Sequence, residues 1–435
     1  MVALVLPLDA AAKQAVVLEI DGAISPAIAD YVVRELRAAK PDEIGIIVLR
    51  MNTPGGLDTS MRMMISAILA SPVPVATYVA PNGARAASAG TYIAYASEIA
   101  AMAPGTNIGA ATPVQLGAIP VGRPNEPSEQ KKDQDKEKSA EPADTETRKV
   151  VNDAVAYIRS LADLNGRNAD WAVESVRTAA SVPALEALKL HVIDAIAADV
   201  PDLLRKIDGR TVTIAGQPKR LETTGLQIVT VAPDWRTELL AIITNPNVAF
   251  ILMLIGVYGL IFEFLNPGSV APGLTGAISL VVALYALNLL PINFAGAGLV
   301  LLGVGLMVAE AHIGAFGAIG VGGIAAFVIG AIMMFPSEMP GFNLSPLVIA
   351  AAAAVTGGLF LLVLAMLLRS RKRVVITGKE ALLGAAGEAL SWQGEEGRVR
   401  IKGEIWRARA VGPLKPGIRV KVIAREGLVL VVEPA

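Results

Sequence analysis

The sequence predicts an N-terminal α/β domain, then an all-α transmembrane bundle of about five helices, then a small C-terminal all-β, OB-fold-like barrel. Three observations predict this order. Short apolar runs alternate with amphipathic stretches from about residue 15 to 112, five long apolar segments crowd residues 239–368, and short β-type runs divided by Gly, Pro and charge fill the end of the chain. The resulting boundaries are 13–232, 233–373 and 374–435, with residues 1–12 left as a residual signal segment.

In the first part, Ala15 to Ile20 reads as a strand, Ser25 to Ala39 as a helix, and Glu43 to Met51 as a second strand. Leu57 to Leu69 is an apolar helical stretch, and Val73 to Val79 is a third strand leading toward a serine-containing turn. From about Pro120 to Thr147 the chain is Pro, Glu, Asp, Lys, Ser and Gln with almost nothing apolar. Such a segment cannot bury enough surface to offset its ordering entropy, so a mobile loop is expected. Helix resumes at Arg148 to Ile158, where apolar residues recur at three and four spacing, and amphipathic sequence continues to Ile196.

The apolar segments run from about Leu239 to Phe262, Ala271 to Leu290, Phe294 to Ala311, Gly317 to Phe335 and Leu347 to Leu368. Each is close to the roughly 20 residues that span a bilayer as helix, and the mean hydropathy of the chain is +0.54. Glu263, Glu310 and His312 are the exceptions, read as interfacial groups meeting headgroups or a partner helix. Arg369, Arg371, Lys372 and Arg373 come directly after the fifth segment and predict a cytoplasmic C-terminal side, which with five spans puts the N-terminal domain outside the cytoplasm. Val2 to Leu8 is apolar and Ala10 to Ala12 small, as at the end of a secretory signal, but no positive segment precedes them.

With 38 Lys and Arg against 39 Asp and Glu, no basic field argues for nucleic acid, and the absence of cysteine removes disulfides, thiol catalysis and Cys-based zinc sites. No metal or cofactor is expected. The last part carries β-type runs at Gly397 to Ile401, Ile405 to Val411, Arg419 to Ala424 and Leu428 to Val432.

The segment Gly83-Ala84-Arg85-Ala86-Ala87-Ser88-Ala89-Gly90-Thr91-Tyr92 packs small residues around one hydroxyl, so the backbone can turn sharply and a substrate chain can approach closely. Asn52-Thr53-Pro54-Gly55-Gly56 comes after a strand and opens a helix, a junction that leaves N–H groups free. Ser88 is therefore a candidate nucleophile in need of a base. Spacing alone does not choose among Lys131, Lys132, Lys136, Lys138 and Lys149, and His191 with nearby Asp194 offers a rival Ser-His-Asp arrangement. Asp58 and Asn107 are candidates for orienting polar groups, or ordinary turn residues.

Taken together, Val16 to Gly22, Asn52 to Leu57, Gly83 to Tyr92, Met102 to Gly109, Lys149 to Ala162 and Gly427 to Pro434 resemble membrane-bound NfeD-family (nodulation efficiency protein D) proteins, relatives of signal peptide peptidase A. The resemblance covers essentially the whole chain and implies a ClpP/crotonase-like serine protease domain. It implies a Ser-Lys dyad, with Ser88 as nucleophile and Lys149 as general base, and an oxyanion hole from the backbone N–H groups of Gly55, Gly56 and Ala89. It also implies stomatin-like membrane proteins as substrate or partner. A homo-oligomer, at least a dimer, is expected. A serine needs a proton acceptor, and a lysine serves only when desolvation disfavours its charged form, a shift to which Val150 and Val151 would contribute. A non-catalytic scaffold that organises stomatin-like partners is the alternative. A transporter fits less well, because the spans lack paired ionisable residues and an evident inverted repeat.

Overall fold

The computed structural model describes residues 13–113, 142–313, 317–335, 341–371 and 382–435. The segment 1–12 and most of the charged insertion lie outside these residues. The chain divides into two compact units, one of residues up to Glu310 with Ala318–Gly357, the other of Ala311–Gly317 and Gly358–Ala435.

The α/β part begins β1 (Gln14–Asp21), α1 (Pro26–Ala38), β2 (Ile44–Asn52), α2 (Asp58–Leu69), β3 (Val75–Val79), β4 (Arg85–Ala87), α3 (Ala89–Ala96), β5 (Ile99–Met102) and β6 (Asn107–Gly109). It continues through α4 (Pro142–Leu164), α5 (Ala169–Arg177), β7 (Ser181–Pro183), α6 (Ala184–Lys189), β8 (Ala195–Ile196), α7 (Val200–Ile207), β9 (Thr211–Ile214), β10 (Gln217–Arg220) and β11 (Gln227–Val231). The strands and helices expected up to Val79 all form, with ends shifted by a residue or two. Ser25 caps α1 by accepting from Ile28 N–H, and Pro26 presets the first helical turn.

Six strands form a parallel sheet in the order β11-β1-β2-β3-β5-β8. Its inner strands β2, β3 and β5, with β1, are mostly apolar and buried because both faces are covered, whereas the edge strand β11 is largely exposed. Val16, Leu18, Ile20, Ile47 and Leu49 face a core shared with α1 to α5. The alternate residues Ala15, Val17, Ile46 and Val48 face α7 and the β9–β10 hairpin. Fully burying a side chain such as Leu49 contributes about 1.5–3 kcal/mol, so this sheet is a rigid base. Beside it, β4, β6 and β7 form a three-stranded sheet that delivers the chain to Ser88.

Two expectations need correction here. The expected loop of residues 120–147 ends earlier, because α4 already begins at Pro142 and runs through Arg148 without a break. The first apolar segment is not one helix from Leu239. A short helix, α8 (Trp235–Ile243), stops at Thr244, and α9 (Pro246–Leu265) restarts with Asn245 accepting from Asn247 N–H and Pro246 in its first turn. Proline lacks the N–H that would continue the preceding helix, so the chain breaks there.

The remaining apolar helices are α10 (Ala271–Leu289), α11 (Phe294–Ile313), α12 (Ala318–Met334) and α13 (Pro346–Arg371). Among the described residues, α9, α10 and the stretch Pro346–Met366 are long and apolar enough to cross a membrane, whereas α11 and α12 contribute shorter apolar stretches. Helices α9 and α10 approach at backbone distance, since a Cβ on Gly259 would stand 2.8 Å from Gly276 Cα. Tyr258 and Thr356 join α9 to α13 through a 2.7 Å hydroxyl contact. Glu263 folds back on its own turn, accepting from Gly268 N–H, Val270 N–H and Ser269 Oγ. Glu310 is fully buried and accepts from Ile319 N–H at the start of α12.

The C-terminal strands β12 (Ala386–Gln393), β13 (Glu396–Ile401), β14 (Glu404–Arg409), β15 (Arg419–Glu426) and β16 (Val429–Pro434) close into a barrel in the order β12-β13-β14-β16-β15. Its core is Ala389, Val399, Ile401, Ala408, Val420, Val422, Leu430 and Val432. The first of these strands has no counterpart among the runs expected from sequence, because Ala386-Gly387-Glu388-Ala389 has no β-branched residue to mark it.

Candidate active site

Ser88 stands where β4 turns into α3, with φ 53° and ψ −116°. Such a conformation costs an L-residue about 1–3 kcal/mol and persists only where its surroundings enforce it. Its N–H donates to Gly109 O at 3.0 Å, and its carbonyl accepts from Thr91 N–H at 2.9 Å. The buried Thr91 hydroxyl sits 3.0 Å from Ala86 O and 2.9 Å from Gly109 O, tying the turn to β4 and β6. The serine thus stands in a tight strand–turn–helix passage, directly ahead of the helix and on the cleft.

Gly55 and Gly56 lie against this turn, and both positions require glycine. Gly55 has φ +117°, and a Cβ there would stand 2.7 Å from Ser88 Cβ; at Gly56 it would stand 2.4 Å from Ile24 O. Ile24 N–H donates to Gly55 O and Leu57 N–H to Ile24 O, so the loop is pinned to the end of β1. The three expected oxyanion donors are not equivalent. Gly55 N–H is turned to Thr53 Oγ1 at 3.1 Å and is therefore engaged. Gly56 N–H and Ala89 N–H have no hydrogen-bond acceptor among the described residues, and Ala89, as the first residue of α3, has no helical turn beneath it. Both residues line one cleft with Ser88, of about 280 Å³, whose walls include Pro54, Met61, Tyr92, Ala111, Pro113 and Ala154. Burial pushes the Tyr92 hydroxyl up, so it stays a donor and holds Ala111 O at 3.1 Å.

Lys149 is exposed on α4 and is not among the cleft-lining residues; no hydrogen bond links it to Ser88 among the described residues. Helix α4 enters the cleft at Ala154, five residues on, about 7.5 Å along the axis. What fastens α4 there carries almost no sequence signal. Arg62 on α2 donates to Asp58 Oδ2 at 2.9 Å and to Asp153 Oδ2 at 2.7 Å, and its guanidinium carbon lies 4.5 Å over the Tyr157 ring. Tyr157 in turn stacks on Tyr92, with centroids 6.1 Å apart. Only the Asp58–Arg62 spacing, i and i+4 on a helix, is a pattern that sequence could have offered.

The histidine arrangement is not assembled. His191 is exposed, with φ 58°, and its carbonyl accepts from Asn168 N–H. Asp194 is instead held by Arg167 at 2.8 Å and Ala100 N–H at 2.7 Å. The side chain of His312 lies outside the described residues, and Asn107 is exposed in β6, away from the cleft lining. Among the described residues no cluster of three or more His, Asp or Glu is placed to hold a metal ion.

Comparisons with known proteins cover nearly the whole chain. Residues 14–201 match a family described as the N-terminal domain of NfeD1b, residues 247–366 the NfeD integral membrane domain, and residues 379–434 the NfeD-like C-terminal, partner-binding domain. A membrane-bound protease of Pyrococcus horikoshii is 34% identical over 430 residues, covering 96% of this chain and 92% of the relative. The membrane protein NfeD1b of Bacillus subtilis is 30% identical over 323 residues, covering 73% and 67% respectively. Among solved structures, a lysine-to-alanine mutant of the N-terminal part of a membrane-bound stomatin-specific protease, in complex with a substrate peptide, is 36% identical, with a TM-score of 0.44 over 52% of this chain and 96% of that one.

Proposed function

The chain is a member of the NfeD family, and from that premise we propose that it is a membrane-bound serine endopeptidase working through a Ser88-Lys149 dyad on a ClpP/crotonase-type domain. The observation that carries this reading is the Ser88 turn, strained and enforced, with two free N–H groups beside it on one cleft.

In this mechanism Ser88 Oγ attacks the scissile carbonyl carbon while the neutral Lys149 amine takes its proton. The oxygen that becomes negative is received by Gly56 N–H and Ala89 N–H, and each such donor contributes about 2.7–4 kcal/mol. Collapse breaks the C–N bond, the amine product leaves with the proton from Lys149, and the acyl group stays on Ser88. Water, deprotonated by Lys149, then attacks the acyl carbon; the ester C–O bond breaks, the acid leaves, and Lys149 returns the proton to Ser88 Oγ. Lys149 reaches Ser88 only when the start of α4 shifts toward the cleft on peptide binding, since in the unliganded chain it stands outside the cleft lining.

Met61, Tyr92, Ala111, Pro113 and Ala154 give the cleft apolar walls that suit an apolar peptide segment, with Asp58 and Arg62 as a charged patch in the same lining. A related protease is described as stomatin-specific, which supports a stomatin-like substrate or partner. Residues 13–232 then form the catalytic domain, 233–373 the membrane part and 374–435 the cytoplasmic barrel. Basic residues Arg369 to Arg373 face the cytoplasm, the catalytic domain lies on the other side, and the chain works as an oligomer of at least two copies.

The test is cleavage of an apolar stomatin-derived peptide by the full chain in a bilayer. Ser88→Ala and Lys149→Ala should each abolish cleavage, the double variant should be no worse than either, and His191→Ala should cleave normally. Full activity in Lys149→Ala with loss in His191→Ala overturns the dyad. Peptide binding without cleavage by the unaltered chain supports the scaffold reading instead.

A further inference from the structure

Helix α8 has its polarity inside out. Its inward side carries Thr237, which is buried, and the half-buried Leu240, whereas Trp235, Leu239 and Ile242 are 70%, 48% and 58% exposed. At 100° per residue these three fall within about 60° of one another, on the side opposite Thr237. Arg236 and Glu238 flank the apolar stripe on its two sides. A surface helix of a water-soluble domain presents the reverse arrangement.

The helix is firmly attached along its inner side. Its capping residue Asp234 accepts from Thr237 N–H and forms a two-point ion pair with Arg34 of α1, at 2.7 and 3.0 Å. Arg34 also donates to Thr237 Oγ1 at 3.0 Å, and Tyr31 Oη donates to Val231 O just before the helix. At its other end α8 meets α9 and α10, the two adjoining helices that are long and apolar enough to cross a membrane. The break at Thr244 and Asn245 lets the chain change direction between them.

We propose that α8 lies in the plane of the bilayer interface, with Trp235, Leu239 and Ile242 inserted among lipid headgroups and upper acyl chains, and so anchors the α/β domain to the membrane surface. Continuity with α9 and α10 selects lipid as the occupant, because whatever surrounds the first turns of those helices also meets the stripe next to them. Tryptophan at the outer end and a charge on either side match the composition of interfacial helices. The anchor fixes the depth of the catalytic cleft through α1. The Arg34–Asp234 pair holds α1 to α8, and β1 and the loop between it and α1 carry Ile24 to Gly55 and Gly56. The cleft is thereby held beside the bilayer, where membrane-adjacent apolar segments reach it.

The chain has no cysteine, so single-cysteine variants report cleanly. Leu239→Cys, Ile242→Cys and Glu238→Cys, each carrying a nitroxide label in the full chain, are reconstituted in phosphatidylcholine–phosphatidylglycerol vesicles. Accessibility to oxygen, which partitions into lipid, is compared with accessibility to a water-soluble nickel chelate. The labels at 239 and 242 should favour oxygen several-fold over the label at 238. Nickel access at 239 and 242 equal to that at 238 overturns the proposal in favour of a water-facing helix. Labels shielded from both reagents overturn it in favour of a second protein copy covering the stripe. These readouts require no catalysis, so they stand apart from the dyad test.

Discussion

Arg62 and Asp153, ninety-one residues apart, meet at 2.7 Å and fasten the helix that carries Lys149 to the wall of the Ser88 cleft. Both side chains are substantially exposed, at 40% and 67%, so the pair contributes at most about 1 kcal/mol to stability. Its consequence is positional. Arg62→Ala should lower kcat roughly tenfold to a hundredfold by misplacing Lys149, with the melting temperature nearly unchanged and KM changed less than kcat. Arg62→Lys keeps the charge but loses the fork and the stacking on Tyr157, and should restore only part of the rate. Steady-state kinetics on one apolar peptide checks this.

The glycine pair gives a second expectation. Gly55→Ala combines φ +117° with a Cβ 2.7 Å from Ser88 Cβ, and Gly56→Ala drives a methyl into the Ile24 backbone. Each should cost about a hundredfold to a thousandfold in kcat, Gly56→Ala on the scale of a lost oxyanion donor and Gly55→Ala by displacing the Ser88 side chain. The secondary structure seen by circular dichroism should persist in Gly55→Ala, because the displaced atom belongs to the Ser88 side chain. Thr53→Val, which frees Gly55 N–H, tests whether that engaged donor matters; a small change is expected.

Asp194 is tied to Arg167, whose side chain is 2% exposed and also donates to Ala94 O and Tyr95 O. Removing Asp194 leaves a buried guanidinium without its counter-charge, at a cost of about 3–5 kcal/mol. Asp194→Ala should therefore lower the thermal midpoint strongly. The folded fraction at low temperature should still cleave peptide, which separates a structural carboxylate from a catalytic one.

Glu98 supplies a pH dependence. Burial pushes its carboxyl up from 4.5 to about 7, while the bond from Val75 N–H at 2.9 Å pulls the other way. The folded state thus holds its proton more tightly than the unfolded chain. The resulting stabilisation is fully present below about pH 4.5, declines as pH rises toward about 7, and is gone above it. Glu98→Gln should remove this slope. Comparing thermal unfolding of the two proteins between pH 5 and 8 checks the sign: the unaltered protein loses ground as pH rises.

Much of the fold was legible because local signals and burial agree. In β1 and β2 the residues are apolar on both faces, and Ser25-Pro26 announces a helix start, so composition alone places these elements. The sharp turn at Ser88 was legible because the small residues around it, Ala84 to Gly90, leave room for the backbone to turn, whereas the positive φ of the serine itself carries no sequence mark. The break between α8 and α9 was not, since Leu239 to Ile243 is as apolar as the first turns of α9 and only Asn245-Pro246 marks the change. The donor assignment was also hidden: Gly55 and Gly56 are identical in sequence, and only Thr53 Oγ1 decides which N–H is free. Tertiary pairs such as Arg62 with Asp153 leave no local trace at all.

Activation of the Ser88 hydroxyl by Lys149 has a direct chemical readout: the full chain in a bilayer is treated with a fluorophosphonate and the adduct is located by peptide mass mapping. Label should fall on Ser88 in the unaltered protein and in His191→Ala, and labelling should slow at least about a hundredfold in Lys149→Ala, in line with the range of general-base assistance. An adduct on another residue, or labelling of Ser88 at an unchanged rate in Lys149→Ala, overturns the dyad.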